Sequence, residues 1–398
     1  MTNSVYLFQR ALRLTDNLGL LECLKKSTKV YPLFCVDPRQ AVVKNNSYAS
    51  KFSIGFMYQS LKDLDKELKK HKSNLGILYG EPHKILKEFV KKNDIKNIYI
   101  NRDYTPFAIQ RVKELKKVCN VIEVNDYLLF NLNDMKNKSG KAYKVYTPFM
   151  KIAERKTVDK PVNISNILLK KLCETEFNKK SWNILENNLK FSDIKGGREN
   201  ALKILKNINE TQKNYDKCRD YLNYKTSHLS AYIKFGCISI REAWKAFNEI
   251  KGDSGKNLKR QLIWREFYYH MYIEYPELLE WDKNPEEIKL DEKAPDIVKA
   301  CFQQLDKTGY LHNRGRMILA NYLLHNKKKY WKSCDKLYAR RLVDYDPFVN
   351  IGNWLTINRL PKFKVMKPEV QYKKWDKSCP CSKKKVKDGN YTKYYLSL

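Results

Sequence analysis

"IKNIYINRDYTPFAIQRVKELKKVCNVIEV", Ile95 to Val124, holds two short apolar runs separated by a helical pattern. "IKNIYIN" (95–101) and "NVIEV" (120–124) are rich in β-branched and aromatic residues, while "PFAIQRVKELKKV" (106–118) spaces its apolar residues by three and four. A strand, a helical crossover and a second strand make the repeating unit of a parallel sheet. Working outward, "SVYLF" (4–8), "VYPLFCV" (30–36) and "LGILYG" (75–80) add three strands, and "SIGFMYQSLKDLDKELKKH" (53–71) and "PHKILKEFVKKN" (82–93) add helices. Runs this apolar are buried on both faces, so residues 1–130 are expected to form a doubly wound, Rossmann-like parallel sheet. Neither GxGxxG nor a P-loop occurs there, which removes the usual nucleotide fingerprints.

Beyond residue 130 the pattern changes. Residues 131–195 are polar and rich in Asn and Lys, and are expected to link two domains through a few short helices. From 196 to 398 strand signals almost vanish. "SIREAWKAFNEI" (239–250), "LKRQLIWREFYYHMYIEY" (258–275), "PDIVKACFQQLDK" (295–307), "NRGRMILANYLLHNK" (313–327) and "SCDKLYARRLV" (333–343) all read as helices. The expected architecture is α/β followed by an all-α domain.

Lys and Arg outnumber Asp and Glu by 78 to 44 over 398 residues, a net charge of +34 spread along the chain. An A/T-rich coding bias explains the lysines but not the shortage of acids. A polyanionic partner does, with nucleic acid ahead of a membrane surface. No apolar run approaches the roughly 18 residues of a membrane span, and "MTNSVYLFQRALRL" lacks the segments of a signal peptide, so a soluble intracellular monomer is expected. None of the ten cysteines forms a CxxC pair. Only "CPC" at Cys379–Cys381 is suggestive, and reduced, mostly buried thiols with no metal site are expected.

"LVDYDPFVNIGNW" (342–354) sets two aspartates two residues apart in this lysine-rich background. Taken alone, it suits either a site for a hard cation or a helix end and turn. Company decides between them. "TSHLSAYIKFGCIS" (226–239), "QLIWREFYYH" (261–270) and "TGYLHNRGRM" (308–317) precede it in that order, and "LRLTDN" (12–17), "NRDYTPFA" (101–108) and "YKVYTPF" (143–149) stand in the first half. Together these motifs resemble those of the photolyase/cryptochrome family, over essentially the whole chain.

The resemblance implies a helical FAD-binding domain with the flavin bent into a U shape. Thr226, Ser227, His228, Leu229 and Ser230 match its phosphate segment, and small hydroxyl donors beside free helix N–H groups suit a pyrophosphate. An ordinary Thr or Ser N-cap is the plain alternative. Tyr215 matches a tyrosine of the same region and Arg219 an arginine that meets DNA. Arg265 and Arg316 need counter-charges if buried, and Asp344 and Asp346 are available. By motif, Arg316 pairs with Asp344 and Asp346 accepts from the flavin edge. Asn350 faces flavin N5, where an amide cannot readily give up a proton and so suits the fully reduced flavin of a repair enzyme. Trp354, Trp331 and Trp281, the last opening "WDKNP", match an electron-transfer row, although a single tryptophan is more often packing.

A damaged dinucleotide must leave the DNA stack to reach the flavin. Trp264 would stack on it, with Asn313, Arg314 and Met317 nearby. Asn313 and Met317 are the types found in enzymes for cyclobutane dimers, whereas (6-4) enzymes place histidines there; His312 matches a histidine found in both. Gln261 departs from this, since glutamate is usual in the main cyclobutane class and glutamine in (6-4) enzymes. Its amide can hydrogen-bond a carbonyl but cannot supply a proton. Thr356 stands where a second tryptophan is expected, and "KAPD" (293–296) replaces a familiar TGYP. Gln9 and Ala11, with Phe107 and Ala108, lack the residues that hold antenna chromophores, so methenyltetrahydrofolate or deazaflavin finds no support. Beyond Gln371 a short basic tail is expected, not a long signalling extension. The expected function is light-dependent splitting of cyclobutane pyrimidine dimers in UV-damaged DNA, with (6-4) repair or a blue-light photoreceptor as alternatives.

Overall fold

Alternate residues of the first strand face opposite ways, and both faces are dry. In the computed structural model Val5 and Leu7 of β1 (Thr2–Phe8) pack with Leu86, Ile98 and Val112, while Tyr6 and Phe8 pack with Leu20, Leu61 and Leu64. The structure describes residues 2–176, 179–187, 189–279, 286–327, 330–359, 374–381, 387 and 389–398. β2 (Ser27–Val36), β3 (Gly76–Tyr79), β4 (Ile95–Asn101) and β5 (Asn120–Val124) complete a sheet of order β3-β2-β1-β4-β5 with every pairing parallel. Its crossovers are α1 (Leu18–Lys26), α2 (Lys51–Lys69), α3 (Pro82–Lys92) and α4 (Pro106–Leu115). The sequence reading passed over α1, a nine-residue helix whose N-cap, Asn17, accepts from Leu20 N at 3.1 Å.

The stretch expected as a connector is packed into the molecule. Cys173 N donates to Val30 O and Val30 N to Lys171 O, both at 2.9 Å, so the connector takes the edge of β2 that β3 leaves open. Trp182 and Leu185 enter the core beneath α2. Exposed backbone groups at a sheet edge need partners, and the polar composition of this segment concealed that role.

The second half is helical: α5 (Tyr146–Ala153) leads to α6 (Arg198–Lys206), α7 (Ser230–Phe235), α8 (Ile240–Asn248), α9 (Asp253–Glu274), α10 (Asp296–Thr308), α11 (Asn313–Asn321), α12 (Trp331–Ala339), α13 (Pro347–Arg359) and α14 (Asn390–Leu396). The pattern over 313–327 is α-helical only as far as Asn321 and widens into a π turn at Tyr322–Asn326. The halves are joined by buried charge. Arg13 meets Asp126 at 2.6 Å, and Arg241 of α8 meets Asp126 at 2.5 Å and Asp16 at 3.0 Å. "LRLTDN" is thus an interdomain lock, and the pairing makes burial of these charges tolerable.

Candidate active site

The apolar faces of the helices turn inward, yet the space they enclose carries charged and polar groups among apolar ones. A cavity of about 500 Å³ lies between α7, α9, α11 and α13, within the range of small-molecule sites. The segment Thr226–Ser230 lines it together with Tyr215, Gln261, Trp264, Arg265, Asn313, Arg316, Met317, Asp344, Asp346, Asn350, Trp354 and Thr356. Residues from five separate stretches of sequence therefore converge on one space.

The charged groups of the floor are paired. Arg316 Nη2 donates to both oxygens of Asp344 at 2.9 and 2.8 Å, and its Nε donates to Leu311 O. Burial works against ionisation of Asp344, but Arg316, Ser230 and Lys234 outweigh it and hold the carboxyl below its ordinary pKa. Asp346 is held low in the same way: against burial stand Arg10 at 3.1 Å, the Tyr269 hydroxyl at 2.5 Å and Arg265.

Arg265 does not take an aspartate as its partner. Its Nη1 donates to Glu266 at 2.8 Å and its Nη2 to Tyr127 O at 3.1 Å, with the guanidinium over the Tyr127 and Tyr269 rings. The counter-ion expected of Asp346 is supplied instead by Arg10, 336 positions away. Asp346 offers few free directions once Tyr269 is bound, whereas Glu266 sits beside Arg265 and also accepts from Leu129 N. Desolvation nevertheless pushes the Glu266 pKa up to about 7.

Asn350 has a partner that sequence reading missed. Its Nδ2 donates to Asp335, a buried carboxylate of α12 that also accepts from Tyr345 Oη at 2.8 Å. Burial raises the Asp335 pKa to about 7 against these two donors. With its NH₂ so engaged, Asn350 can turn its carbonyl oxygen to the cavity. Helix α13 approaches α9 closely enough that a Cβ on Gly352 would stand 2.2 Å from the Tyr268 ring, which explains the glycine in "NIGNW".

At the mouth the contacts are looser. Gln261 is exposed and its amide reaches the Asn257 carbonyl at 3.4 Å. Trp264 stacks on Tyr146 with centroids 3.5 Å apart, so one face of its indole is already covered. Asn313 makes a long contact with Met317 Sδ, and Thr356 Oγ1 lies 3.3 Å from Tyr268 Oη. Beside Thr226–Ser230, α7 is only six residues long and Leu229, its N-cap, makes no side-chain capping bond. Thr226 contacts the Tyr310 hydroxyl, and His228 holds φ +53° against the Tyr310 ring, its pKa lowered to about 4 chiefly by burial.

Other expected residues stand outside the lining. Arg219 lies over the Tyr215 ring, and Arg314 pairs with Asp220 and lies over Trp375. Trp331 begins α12 beside Tyr330, whereas Trp354, within the lining, is buried against Tyr338. Trp281 falls outside the described residues. The expectation of reduced thiols is corrected at Cys218, which is joined to Cys379. CxxC spacing cannot reveal a pair 161 residues apart, since chain folding alone brings it together.

Two family models match this chain: DNA photolyase over residues 4–164, and the FAD binding domain of DNA photolyase over residues 258–388. The chain belongs to the photolyase/cryptochrome family. The deoxyribodipyrimidine photo-lyase of Buchnera aphidicola is 28% identical, the match covering 100% of this chain and 88% of that protein. A (6-4)DNA photolyase of Arabidopsis thaliana is 25% identical over 100% and 79%. Cryptochromes match at comparable identity. Among solved structures, an archaeal photolyase from Sulfolobus tokodaii, described with two FAD molecules, superposes with a TM-score of 0.82 at 29% identity, covering 99% of this chain and 90% of that one.

FAD is the cofactor of this family fold, and the cavity fits it. An Arg–Asp pair at its floor and hydroxyl donors along one wall match a flavin with a pyrophosphate. No helix of the described residues is long and apolar enough to cross a membrane.

Proposed function

We propose that this protein is a light-dependent DNA repair lyase that splits cyclobutane pyrimidine dimers. The observation that carries the reading is the joint lining of one cavity by Asn350, Asp344 and Arg316 at the floor and by Trp264, Asn313 and Met317 toward the mouth. With FAD held there, the chemistry supplied would be light-driven electron donation to the dimer and its return, with no net redox change.

The residues have separable tasks. Arg316 and Asp344 would hold the flavin ring system, Asp346 would accept from its edge, and Tyr215 and Thr226–Ser230 would hold its phosphates. Asp335, by holding the Asn350 NH₂ group, would leave the amide oxygen to meet the flavin. Trp354 and Trp331, with Trp281, would relay the electrons that restore the reduced state. Trp264 gives its free face to a pyrimidine flipped out of the duplex, and the Gln261 amide donates to a pyrimidine carbonyl. Arg219 and Arg314 meet phosphates, so affinity falls steeply with added salt.

Gln261 favours a second reading, repair of (6-4) photoproducts, against which stand Asn313 and Met317. His312, which precedes them, caps α11 through Nδ1 and is buried, its pKa lowered to about 3 mainly by burial. The test illuminates reduced protein with oligonucleotides carrying either lesion. We expect restoration of the cyclobutane dimer alone. Restoration of only the (6-4) product overturns the choice of lesion, and restoration of neither leaves a photoreceptor. A second cavity of about 710 Å³, at the strand ends where the sheet order reverses, offers room for an antenna chromophore.

A further inference from the structure

Three cysteines meet at the edge of the helical half, outside the flavin cavity. Cys218 ends the short helix Tyr215–Cys218, and Cys379 and Cys381 flank Pro380 in the stretch that follows Trp375. Cys218 and Cys379 are joined, and one sulfur from each of the three lies within 4.8 Å of the others. A disulfide accounts for two of these residues and gives Cys381 no part. Yet the Cys381 N–H donates to Cys379 Sγ at 3.4 Å, the kind of outer hydrogen bond that steadies a sulfur ligand.

We propose that the reduced cysteines form a three-thiolate site for a soft divalent cation of the zinc type. Tetrahedral zinc takes sulfur at about 2.3 Å, which separates its sulfurs by roughly 3.8 Å, a spacing this cluster reaches with side-chain adjustment. A dithiol reductant opens the Cys218–Cys379 bond: two electrons and two protons pass to the sulfurs, and the reductant closes its own disulfide. The cation then displaces three thiol protons and keeps its fourth position for water. Lys217 adjoins Cys218 and Lys377 stands two residues before Cys379, so both offset the negative charge of three thiolates.

Such a site clasps the C-terminal stretch to the rim of the flavin cavity. Trp375 O accepts from Leu222 N at 2.9 Å, its ring lies beneath Arg314, and the neighbouring Asp376 accepts from Tyr391 N at 3.0 Å. Metal binding stands independently of the repair reading. Its consequence for the DNA contacts Arg219 and Arg314 rests on that reading.

The test uses the full flavin-loaded chain, reduced with a dithiol and desalted without oxygen, then titrated with Co²⁺ as a spectroscopic probe. We expect one cobalt per chain with a thiolate charge-transfer band, displaced by Zn²⁺ and abolished by Cys218→Ser and Cys381→Ser. Cys381→Ser decides the matter, because a disulfide alone does not need that thiol; unchanged flavin absorbance shows that the variant folds. Should it not fold, alkylation mapping of the wild type replaces it, with zinc protecting all three cysteines and a chelator exposing them. Absence of the cobalt band, full binding by Cys381→Ser, or no protection overturns the proposal. Recovery of iron with acid-labile sulfide overturns it in favour of a cluster.

Discussion

On the floor of the flavin cavity Arg316 meets Asp344, Arg10 and Tyr269 meet Asp346, and Asp335 meets Asn350; at the mouth Gln261 makes one weak bond and Asn313 one long contact. The difference follows from desolvation. A charge out of water destabilises the fold unless a partner is held against it, so the floor tolerates few alternatives. Polar groups at the mouth keep access to water, and their identity is free to follow the substrate. Among the residues lining the cavity, those that depart from the expected pattern, Gln261 and Thr356, are both at the mouth.

The largest effect is expected at the floor. Arg316→Ala leaves Asp344 without its main counter-charge and should destabilise the protein by about 3–5 kcal/mol, with loss of bound flavin. Denaturant melts and flavin absorbance read both; a variant that keeps wild-type stability would show that the pair is not what makes the floor. Next comes Gly352→Ala, which forces α13 away from Tyr268 and should cost about 1–3 kcal/mol. A melting temperature equal to the wild type's would mean that the two helices are not in close contact.

The floor also carries opposing pH dependences. Asp344 and Asp346 have lowered pKa values, so their stabilisation is present above the ordinary carboxylate range and is lost as pH falls through their folded values. Asp335, raised to about 7, acts the other way: the unfolded chain ionises first, and the native state loses stability as pH rises from roughly 4 to about 7. Asp335→Asn should remove that loss, so the wild type weakens relative to the variant between pH 5 and pH 8. Parallel curves would place Asp335 in a solvated setting. The smallest effect on stability belongs to the mouth. Gln261→Glu and Thr356→Trp should stay within about 0.5 kcal/mol of the wild type while changing repair of a dimer-bearing oligonucleotide several-fold. A large loss of stability in either variant would erase the contrast between floor and mouth.

The strands were legible because burial on both faces leaves an apolar run that needs no partner to be seen, and all five runs fall on observed strands. The segment 131–195 was less so, since its contribution to the β2 edge is made by backbone groups that composition does not mark. Within the cavity, Arg316 and Asp344 were legible as a pair through their motifs, whereas Arg10, Glu266 and Asp335 were not. A charged residue announces its need for a counter-charge but not which one it finds.

The sequence by itself determined the alternation of strand and helix, the helical second half and the motifs that place the family, because periodicity and local spacing are properties of neighbouring residues. Only the tertiary structure decided that Arg265 turns to Glu266, that Arg10 reaches Asp346, and that Cys218 meets Cys379. Those choices depend on which groups share a desolvated space after folding, and distance along the chain carries no record of it.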